Sequence, residues 1–477
     1  MNRPLTILCL SLALLTGLPM SLSAMSVEKE IELGKTEHKK IVGSLGIYRD
    51  HELQAYVDRV GQRVAEVSSR PELEYTFTVI NDDMINAFAL PGGFIYITRG
   101  MLAHVNSESQ LAAILGHEIA HVTEKHALKT EGRNKGMRFL NILFAAVTGI
   151  PGIYELTDLF GGVLLSGYSR DLELEADEVG AEYMAKAGYS PEAMIDTIDI
   201  LKAKDRVEMA QARKENREPR VYHGFLSTHP DHDTRYELAI RESQKLVTDY
   251  DEFIEADEFL RKLNGLAYGA SRQVGVVRGN QFYHPKLGIK FNFPDDWRFS
   301  PEVRGVAVTS QTGEANFAVS TLRIPANATP EEAAVNMGLE IREGRAITIA
   351  GMPAYLGIAN GANSTYGPRP GRFAIVFDTR RRVGYLLMGT GKHDLRKIAN
   401  DKDFIATIFS FDLMDKDDFR LAKRPKVQVV RAEEGTTMEQ LAEESPITNY
   451  ALESLRLMNG LYPKGQPEPG QLIKIVQ

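Results

Sequence analysis

The segment from Leu111 to Val122 constrains the fold of this chain more than any other. All of its residues are apolar or glycine except three, His117, Glu118 and His121. A helix that is apolar on every side has to be buried inside a protein. Burying polar or charged side chains without partners costs several kcal/mol. The fold must therefore supply interaction partners for these three side chains.

The spacing of the three polar residues is typical of a metal site. His117 and His121 are four positions apart, so both imidazoles can reach one ion at about 2.0–2.1 Å, while Glu118 reaches a water molecule beside it. The alternative is a chance occurrence of this spacing in a surface helix. Gly116 costs a helix about 1 kcal/mol relative to alanine, which indicates close packing against a neighbour and favours the buried metal site.

The two ends of this helix narrow the class of metal site. Ser107 and Gln110 have the spacing of a helix capping box, so the helix is expected to begin there. Beyond its other end stand Glu124 and Ala127, where a metzincin would have a glycine and a third histidine ligand. That class is excluded, and the third ligand has to come from another segment.

A second helix is predicted to supply the third ligand. Within 169–181, the residues Arg170, Glu173 and Asp177 fall on one helical face, whereas Glu175 points away. We therefore expect Glu173 to bind the metal and Asp177 to accept the free N–H of a ligating histidine. The alternative is a solvated acidic helix, which Arg170 disfavours because it places a counter-ion beside the carboxylates.

Length and composition exclude several classes of protein. With 477 residues the chain exceeds the roughly 250 that one hydrophobic core organises, so several domains are expected. Its 43% hydrophobic and 25% charged residues are typical of globular proteins. A net charge of −8 provides no basic surface for nucleic acid.

The first 24 residues have the features of a secretory signal peptide. Arg3 precedes an apolar run from Leu5 to Leu18, and small residues end the segment at Ala24. An uncleaved anchor is the alternative, but the run is shorter than the roughly 20 residues of a membrane span. Cys9 is the only cysteine, so any metal in the mature chain must be bound by nitrogen and oxygen. Contact with a membrane is expected to be peripheral at most.

The residue patterns divide the rest of the chain into three folded parts and a linker. Helical periodicity around short strands runs from 25 to 268. Glycine-rich strand patterns with one helix, at 330–341, follow from 269 to 414. A charged linker, 415–426, leads to a compact strand-helix-helix-strand pattern at 427–477. These patterns predict an α+β protein whose first domain is mainly helical with a small sheet.

Three further segments of the first domain have readable patterns. Helical spacing predicts a helix from Glu52 to Val67, and β-branched and aromatic residues predict a strand from Tyr75 to Ile80. The apolar run from Phe139 to Ile150 is too short to cross a membrane. It is expected to form a lid over the cleft, with plain core packing as the alternative.

A strand just before the metal helix is a candidate for substrate binding. The turn Pro91-Gly92-Gly93 leads into an exposed strand, where Phe94, Ile95, Tyr96 and Ile97 are expected to form an open sheet edge. An extended polypeptide could add to that edge through main-chain pairing, which gives affinity with little sequence preference. Unfolded proteins would be suitable substrates.

Four motifs of the first domain resemble those of the HtpX and CAAX-prenyl-protease family of gluzincin metallopeptidases, and most of all its soluble periplasmic members. The motifs are Asn86 to Gly93, His117 to His121, Ser169-Arg170 with Glu173 and Asp177, and His229-Pro230 with Arg235. The match covers residues 27–268. It implies a zincin-type domain in the periplasm with one zinc ion per chain. The implied ligands are His117, His121 and Glu173, with Glu118 as the general base.

The same resemblance implies residues around the zinc site. Asn86, Arg170, Asp177 and Arg235 would surround the ligands, and Arg235 could anchor a loop or assist the oxyanion. Members of the soluble branch carry a loop histidine, at the position of His229, that can occupy the open position of the zinc. Such a ligand would displace the catalytic water and leave a latent enzyme that is released when the loop moves.

The later domains resemble known modules. Residues 288–299 look like the start of a PsbP-like α+β domain. Residues 427–477 are similar to a LysM module, which implies contact with peptidoglycan.

These observations favour a zinc-dependent endopeptidase that hydrolyses misfolded or unassembled envelope proteins. One alternative is a chaperone-like protein that holds clients and cleaves them slowly. Another is an endopeptidase that cuts peptidoglycan cross-links, which the LysM-like segment suggests.

Overall fold

A computed structural model of this chain describes residues 26–129, 168–214, 256–269, 275–302, 305–324, 328–362, 364–447 and 449–477. The predicted signal peptide, the apolar segment 139–150, His229 and Arg235 lie outside these residues and stay predictions. Among the helices that are described, none combines the length and the apolar composition needed to cross a membrane.

The described part of the first domain consists of helices around one small sheet, as predicted. Its helices are α1 (Val27–Leu45), α2 (His51–Ala65), α3 (Arg99–His104), α4 (Glu108–Thr123), α5 (His126–Lys129), α6 (Arg170–Lys186), α7 (Glu192–Lys214) and α8 (Ala256–Lys262). Its strands are β1 (Thr76–Ile80), β2 (Ala87–Leu90) and β3 (Phe94–Thr98). The helix predicted from Glu52 and the strand predicted from Tyr75 are confirmed within two residues at each end.

Strand β3 lies at the centre of the sheet, so the prediction that it forms an open edge is wrong. The strand order is β1-β3-β2, with β3 parallel to β1 and antiparallel to β2. Gly92 and Gly93 adopt φ values of 81° and 91°, which glycine allows, and this turn folds β2 back onto β3. The four residues expected to bind substrate are therefore paired on both sides: Phe94, Ile95, Tyr96 and Ile97.

Helix α4 runs through the middle of the first domain. It packs against α2, α6 and α7 and against β2, and every residue from Gln110 to Thr123 is buried. Its apolar side chains belong to the main hydrophobic cluster of the domain. The burial predicted for this helix is thus confirmed.

Two antiparallel sheets and two helices make up the described part of the second domain. The strands are β4 (Val276–Arg278), β5 (Gln281–His284), β6 (Ile289–Asn292), β7 (Arg298–Glu302), β8 (Gly305–Thr309), β9 (Ala315–Arg323), β10 (Glu340–Ile349), β11 (Met352–Ala362), β12 (Arg369–Asp378), β13 (Val383–Gly391) and β14 (Asp412–Leu413). They form a seven-stranded sheet, β10-β11-β12-β13-β9-β8-β7, and a four-stranded sheet, β14-β6-β5-β4.

The helices of the second domain are α9 (Pro330–Asn336) and α10 (Asp401–Phe409). Helix α9 is shorter than the predicted 330–341. Gly338 adopts a φ of 73°, and this left-handed residue ends the helix just before β10 begins at Glu340.

The C-terminal segment has the predicted strand-helix-helix-strand order. Its elements are β15 (Val427–Arg431), α12 (Met438–Glu443), α13 (Ala451–Met458) and β16 (Leu472–Val476). The segment predicted as a linker contains a short helix, α11 (Lys416–Leu421), whose first turn is held by a capping box between Asp415 and Asp418.

The C-terminal segment packs onto the first domain. Val427, Leu455 and Ile473 belong to the same hydrophobic cluster as the residues of α4. Buried Lys474 donates hydrogen bonds from Nζ to the carbonyl oxygens of Ala103 and Val105, both at 2.7 Å. The first domain and the C-terminal segment therefore share one core, although they lie far apart in sequence.

Candidate metal centre

The start of α4 is held by a side-chain cap. Ser107 Oγ accepts a hydrogen bond from the backbone N–H of Gln110 at 3.1 Å, as the sequence predicts. The side chain of Gln110 accepts from the backbone N–H of Asn106 at 2.8 Å and not from that of Ser107. The first half of the predicted capping box is present, and the second is displaced by one residue.

A buried carboxylate ties the first turn of α4 to the surrounding helices. Glu108 is fully buried and accepts hydrogen bonds from the hydroxyls of Tyr56 and, at 2.8 Å, Tyr189. Arg59 lies 3.2 Å from the same carboxylate. Burial and then the Glu108 carboxylate raise the pKa of both phenols, so they stay donors.

A buried ion pair ties the other end of α4 to the start of the chain. Arg70 contacts both oxygens of the buried Glu30 carboxylate, at 3.0 and 3.1 Å. It also donates to the carbonyl oxygen of Val122 at 3.2 Å. The same Glu30 accepts from the backbone N–H of Gly92 at 3.2 Å, so α1, α4 and the turn between β2 and β3 are joined at one point.

Two glycines allow α4 and α6 to cross at close range. A Cβ atom on Gly116 would lie 3.1 Å from the carbonyl oxygen of Gly180, and one on Gly180 would lie 2.9 Å from the backbone nitrogen of His117. The close packing that Gly116 indicates in the sequence is therefore present. This crossing brings the face of α6 that carries Glu173 and Asp177 against the His117 turn of α4.

The donor groups of three residues from these two helices converge in the core, as a triangle of two imidazoles and one carboxylate. His117 Nε2 and His121 Nε2 are 2.9 Å apart. The Glu173 carboxylate lies 3.5 Å from each, through Oε2 to His117 and Oε1 to His121. All three residues are at most 2% exposed, and a bound cation would balance the buried carboxylate.

The triangle of ligand atoms fits a zinc ion. Atoms bound at 2.0–2.1 Å in tetrahedral geometry lie about 3.3 Å from one another, close to the observed 2.9 and 3.5 Å. Two imidazole nitrogens and one carboxylate oxygen are also the donors that zinc takes in catalytic sites, with one position left open. Among the described residues, His117, His121 and Glu173 are the group that could hold a metal ion.

Asp177 lies where helical spacing predicts. Its Oδ1 is 2.8 Å from Nδ1 of His117, and its side chain is 1% exposed. A carboxylate in this position keeps Nδ1 protonated and leaves Nε2 free to bind a metal. Glu118 follows His117 directly in α4 and is fully buried.

Tyr168 lies at the site, although the sequence patterns did not indicate it. Its ring stacks on that of His121, with centroids 4.1 Å apart and planes inclined by 16°. Burial, and then the charges of Glu118 and Glu173, raise the pKa of its phenol well above the ordinary value. The residue precedes the predicted motif at Ser169, but a lone tyrosine carries no sequence signal for this role.

A second pair of residues was also missed. His126 Nδ1 is 2.7 Å from His121 Nδ1, and His126 Nε2 is 3.1 Å from Glu175 Oε2. Glu175 points away from the ligand triangle, as predicted, but it is connected to the triangle through His126. Burial lowers the pKa of His126 more than Glu175 raises it, so the ring is neutral near pH 7. The only signal in the sequence was a third histidine five residues after His121.

Asn86 and Arg170 are the other two predicted site residues that the structure describes. Asn86 precedes β2, and its backbone exchanges hydrogen bonds with Thr98. Its buried side-chain oxygen has no hydrogen-bond partner within the described part of the chain. Arg170 is exposed at the first turn of α6. The roles expected for Asn86 and Arg170 stay predictions.

The segment that carries the candidate metal centre is similar to a family of peptidases. Residues 51–242 match the model of Peptidase family M48. This segment contains every residue of the candidate centre. The described residues therefore combine similarity to a metallopeptidase family with a buried group that can hold a metal.

Several relatives that are similar to part of this chain are proteases by name. The Beta-barrel assembly-enhancing protease of Escherichia coli (strain K12) is 29% identical over 217 residues, which cover 44% of this chain and 42% of that protein. The Putative beta-barrel assembly-enhancing protease of Vibrio cholerae is 30% identical over 181 residues, 36% and 37% of the two chains. The Mitochondrial metalloendopeptidase OMA1 of Schizosaccharomyces pombe is 31% identical over 172 residues, 35% and 51%.

The alignments span only part of each relative, between 37% and 51% of its length. Among solved structures, the solution structure of cyanobacterial PsbP from Synechocystis sp. PCC 6803 is 16% identical. It covers 30% of this chain and 98% of that one, with a TM-score of 0.22. The resemblance of the second domain to PsbP and that of the C-terminal segment to LysM stay predictions.

Proposed function

We propose that this chain is a zinc-dependent endopeptidase. His117, His121 and Glu173 would hold one zinc ion, and Glu118 would act as the general base. The observation that carries the proposal is the buried group of two imidazoles and one carboxylate: the two Nε2 atoms are 2.9 Å apart, and each lies 3.5 Å from one oxygen of Glu173. The match of residues 51–242 to family M48 supports it.

The residues of the site have separate tasks in peptide hydrolysis. A zinc ion held there would be a Lewis acid that polarises the scissile carbonyl and acidifies the attacking water. Glu118 takes a proton from that water and delivers it to the departing amine nitrogen. Asp177 keeps the Nε2 lone pair of His117 directed at the ligand triangle.

We propose that β2, and not β3, receives an extended substrate. Among the described strands, β2 pairs only with β3 and forms an edge of the sheet. Its residues Ala89 and Leu90 line a small cavity together with His121 and Tyr168, so the strand lies beside the candidate centre. The residues of β2 are at most 5% exposed, and we expect substrate to bind only after this edge is uncovered.

We further propose that the substrates are misfolded or unassembled proteins of the bacterial envelope and that the chain works in the periplasm. The predicted signal peptide and the similarity to proteases named for β-barrel assembly support this role. His229 would limit basal proteolysis by taking the open zinc position until its loop moves. The C-terminal segment would contact peptidoglycan.

A matched pair of variants on α6 tests the site. Glu173 is buried in the triangle and Glu178 is exposed on the same helix. Wild type and Glu178→Gln should each contain one zinc ion and cleave casein, whereas Glu173→Gln should lose both properties. Casein cleavage that persists in a strong chelator would contradict the proposal. Client binding without cleavage would favour the chaperone-like alternative, and cleavage of purified sacculi alone would favour the peptidoglycan endopeptidase.

A further inference from the structure

We propose that His126 and Glu175 are positioning residues that orient His121 for metal binding. They would do for His121 what Asp177 does for His117. The inference rests on the proposed zinc site, since it concerns how one of its ligands is held.

Zinc binding by His121 would fix the direction of each hydrogen bond that links His121, His126 and Glu175. If His121 binds zinc through Nε2, its Nδ1 carries the proton and donates to Nδ1 of His126 at 2.7 Å. The proton of His126 is then on Nε2, which donates to Glu175 Oε2 at 3.1 Å. One arrangement of protons therefore satisfies both contacts.

The chain path that makes this contact is unusual. Helix α4 ends at Thr123, and Lys125 adopts a left-handed φ of 56°, which costs a non-glycine residue free energy. The turn is closed by a hydrogen bond from Lys125 N to Val122 O at 3.1 Å. It brings His126 back onto the face of α4 that carries His121, where His126 is fully buried. The turn therefore holds His126 against His121 at a cost in backbone free energy.

Asp177 and Glu175, the two carboxylates behind the ligand histidines, differ in their exposure to solvent. The Asp177 side chain is 1% exposed, whereas that of Glu175 is 40% exposed and lies 3.3 Å from Lys129 Nζ. A solvated, charge-paired carboxylate holds its partner less strongly than a buried one. We therefore expect removal of His126 to weaken metal binding more than removal of Glu175.

Zinc affinity, measured on the purified full chain by competition with a chromophoric chelator, tests the inference. His126→Leu removes the acceptor for His121 and should weaken zinc binding by about 10- to 100-fold. His126→Asn keeps an acceptor oxygen near the position of Nδ1 and should recover most of the affinity. Glu175→Ala should give a smaller loss, and Glu178→Ala on the same helix should leave the affinity unchanged.

Cobalt substitution adds a readout that a purely structural role would not move. The visible absorption bands of bound Co²⁺ should shift in His126→Leu and return toward wild type in His126→Asn. If His126→Leu does not fold, as judged by circular dichroism, the Glu175→Ala and His126→Asn affinities decide instead. Zinc affinities within twofold of wild type for Glu175→Ala, and for His126→Leu where it folds, would overturn the inference, and so would a His126→Asn affinity as low as that of a folded His126→Leu.

The Glu173→Gln variant distinguishes a failure of the positioning role from a failure of the proposed zinc site. If Glu173→Gln loses zinc while His126→Leu and Glu175→Ala keep it, the zinc site stands and the positioning role falls. If Glu173→Gln keeps zinc at wild-type affinity, the site itself has been misassigned.

Discussion

Gly180 faces the backbone of His117 so closely that a Cβ atom there would lie 2.9 Å from the His117 nitrogen. Real Cβ atoms do not approach backbone at this distance without a shift of one helix. The crossing of α4 and α6, and with it the approach of Glu173 and Asp177 to the histidines, therefore depends on the absence of a side chain at this position.

Gly180→Ala should force the two helices apart. We expect a loss of about 1–3 kcal/mol in the free energy of unfolding, as for other overpacked cores. Zinc binding should weaken as well, because Asp177 and Glu173 move with α6. Denaturant unfolding and chelator competition would measure the two effects.

Gly43→Ala is the matched control for that change. Gly43 is also a helical glycine, but a Cβ atom there would meet nothing within 4 Å. Alanine should stabilise α1 by up to about 1 kcal/mol and leave zinc binding unchanged. Equal behaviour of the two variants would contradict the role assigned to the helix crossing.

His104 should make the protein sensitive to acid. Burial lowers the pKa of His104 to about 3, against about 6.5 in an unfolded chain. Above pH about 6.5 the His104 ring is neutral in the folded and in the unfolded chain, and the free energy of unfolding has its full value. Below that pH the free energy of unfolding declines by about 1.4 kcal/mol per pH unit as the pH falls toward 3. His104→Asn keeps a donor for the carbonyl oxygen of Gly100, which His104 Nδ1 approaches at 2.7 Å, but it does not titrate.

Denaturant unfolding between pH 7.5 and 4.5, in the presence of a chelator, checks this prediction. The free energies of wild type and His104→Asn should diverge as the pH falls, with wild type losing more. All other ionisable groups are the same in both proteins, so their contributions cancel in the difference. Parallel curves would show that His104 is not held neutral.

Lys474→Met should loosen the contact between the C-terminal segment and the first domain. The variant leaves the carbonyl oxygens of Ala103 and Val105 without their donor, which costs about 1–3 kcal/mol for a buried polar group. Lys464→Met, at an exposed position of the same segment, should change the free energy of unfolding by less than about 0.5 kcal/mol. A more stable Lys474→Met would mean that burying the ammonium costs more than its two hydrogen bonds return.

The placement of the candidate ligands could be predicted from the sequence because helical geometry is local. His117 and His121 share a face by their spacing alone, and Glu173 and Asp177 do so on the second helix. Glycine at position 116 indicated that a neighbour comes close. Its partner at Gly180 completes the crossing, and only the structure shows that these two helices are the ones that meet.

The features that could not be predicted depend on contacts between residues far apart in sequence or on an unfavoured backbone conformation. A strand pattern gives no information about its neighbours, which is why β3 was expected at an edge and lies at the centre. A lysine with a left-handed backbone at position 125 has no signature in the sequence, so the return of His126 to His121 was not foreseen. The strand-helix-helix-strand pattern of the C-terminal segment did not show that this segment packs against the first domain.

The proposed mechanism is tested most directly by Glu118→Gln. Its metal content and its casein cleavage are measured side by side with those of wild type. Glu118 is not one of the three ligands, so the variant should fold and keep one zinc ion per chain. Peptidase activity should fall by orders of magnitude, because no carboxylate remains to take the proton from the attacking water. Activity close to that of wild type in zinc-loaded Glu118→Gln would contradict the assignment of Glu118 as the general base and the mechanism that follows from it.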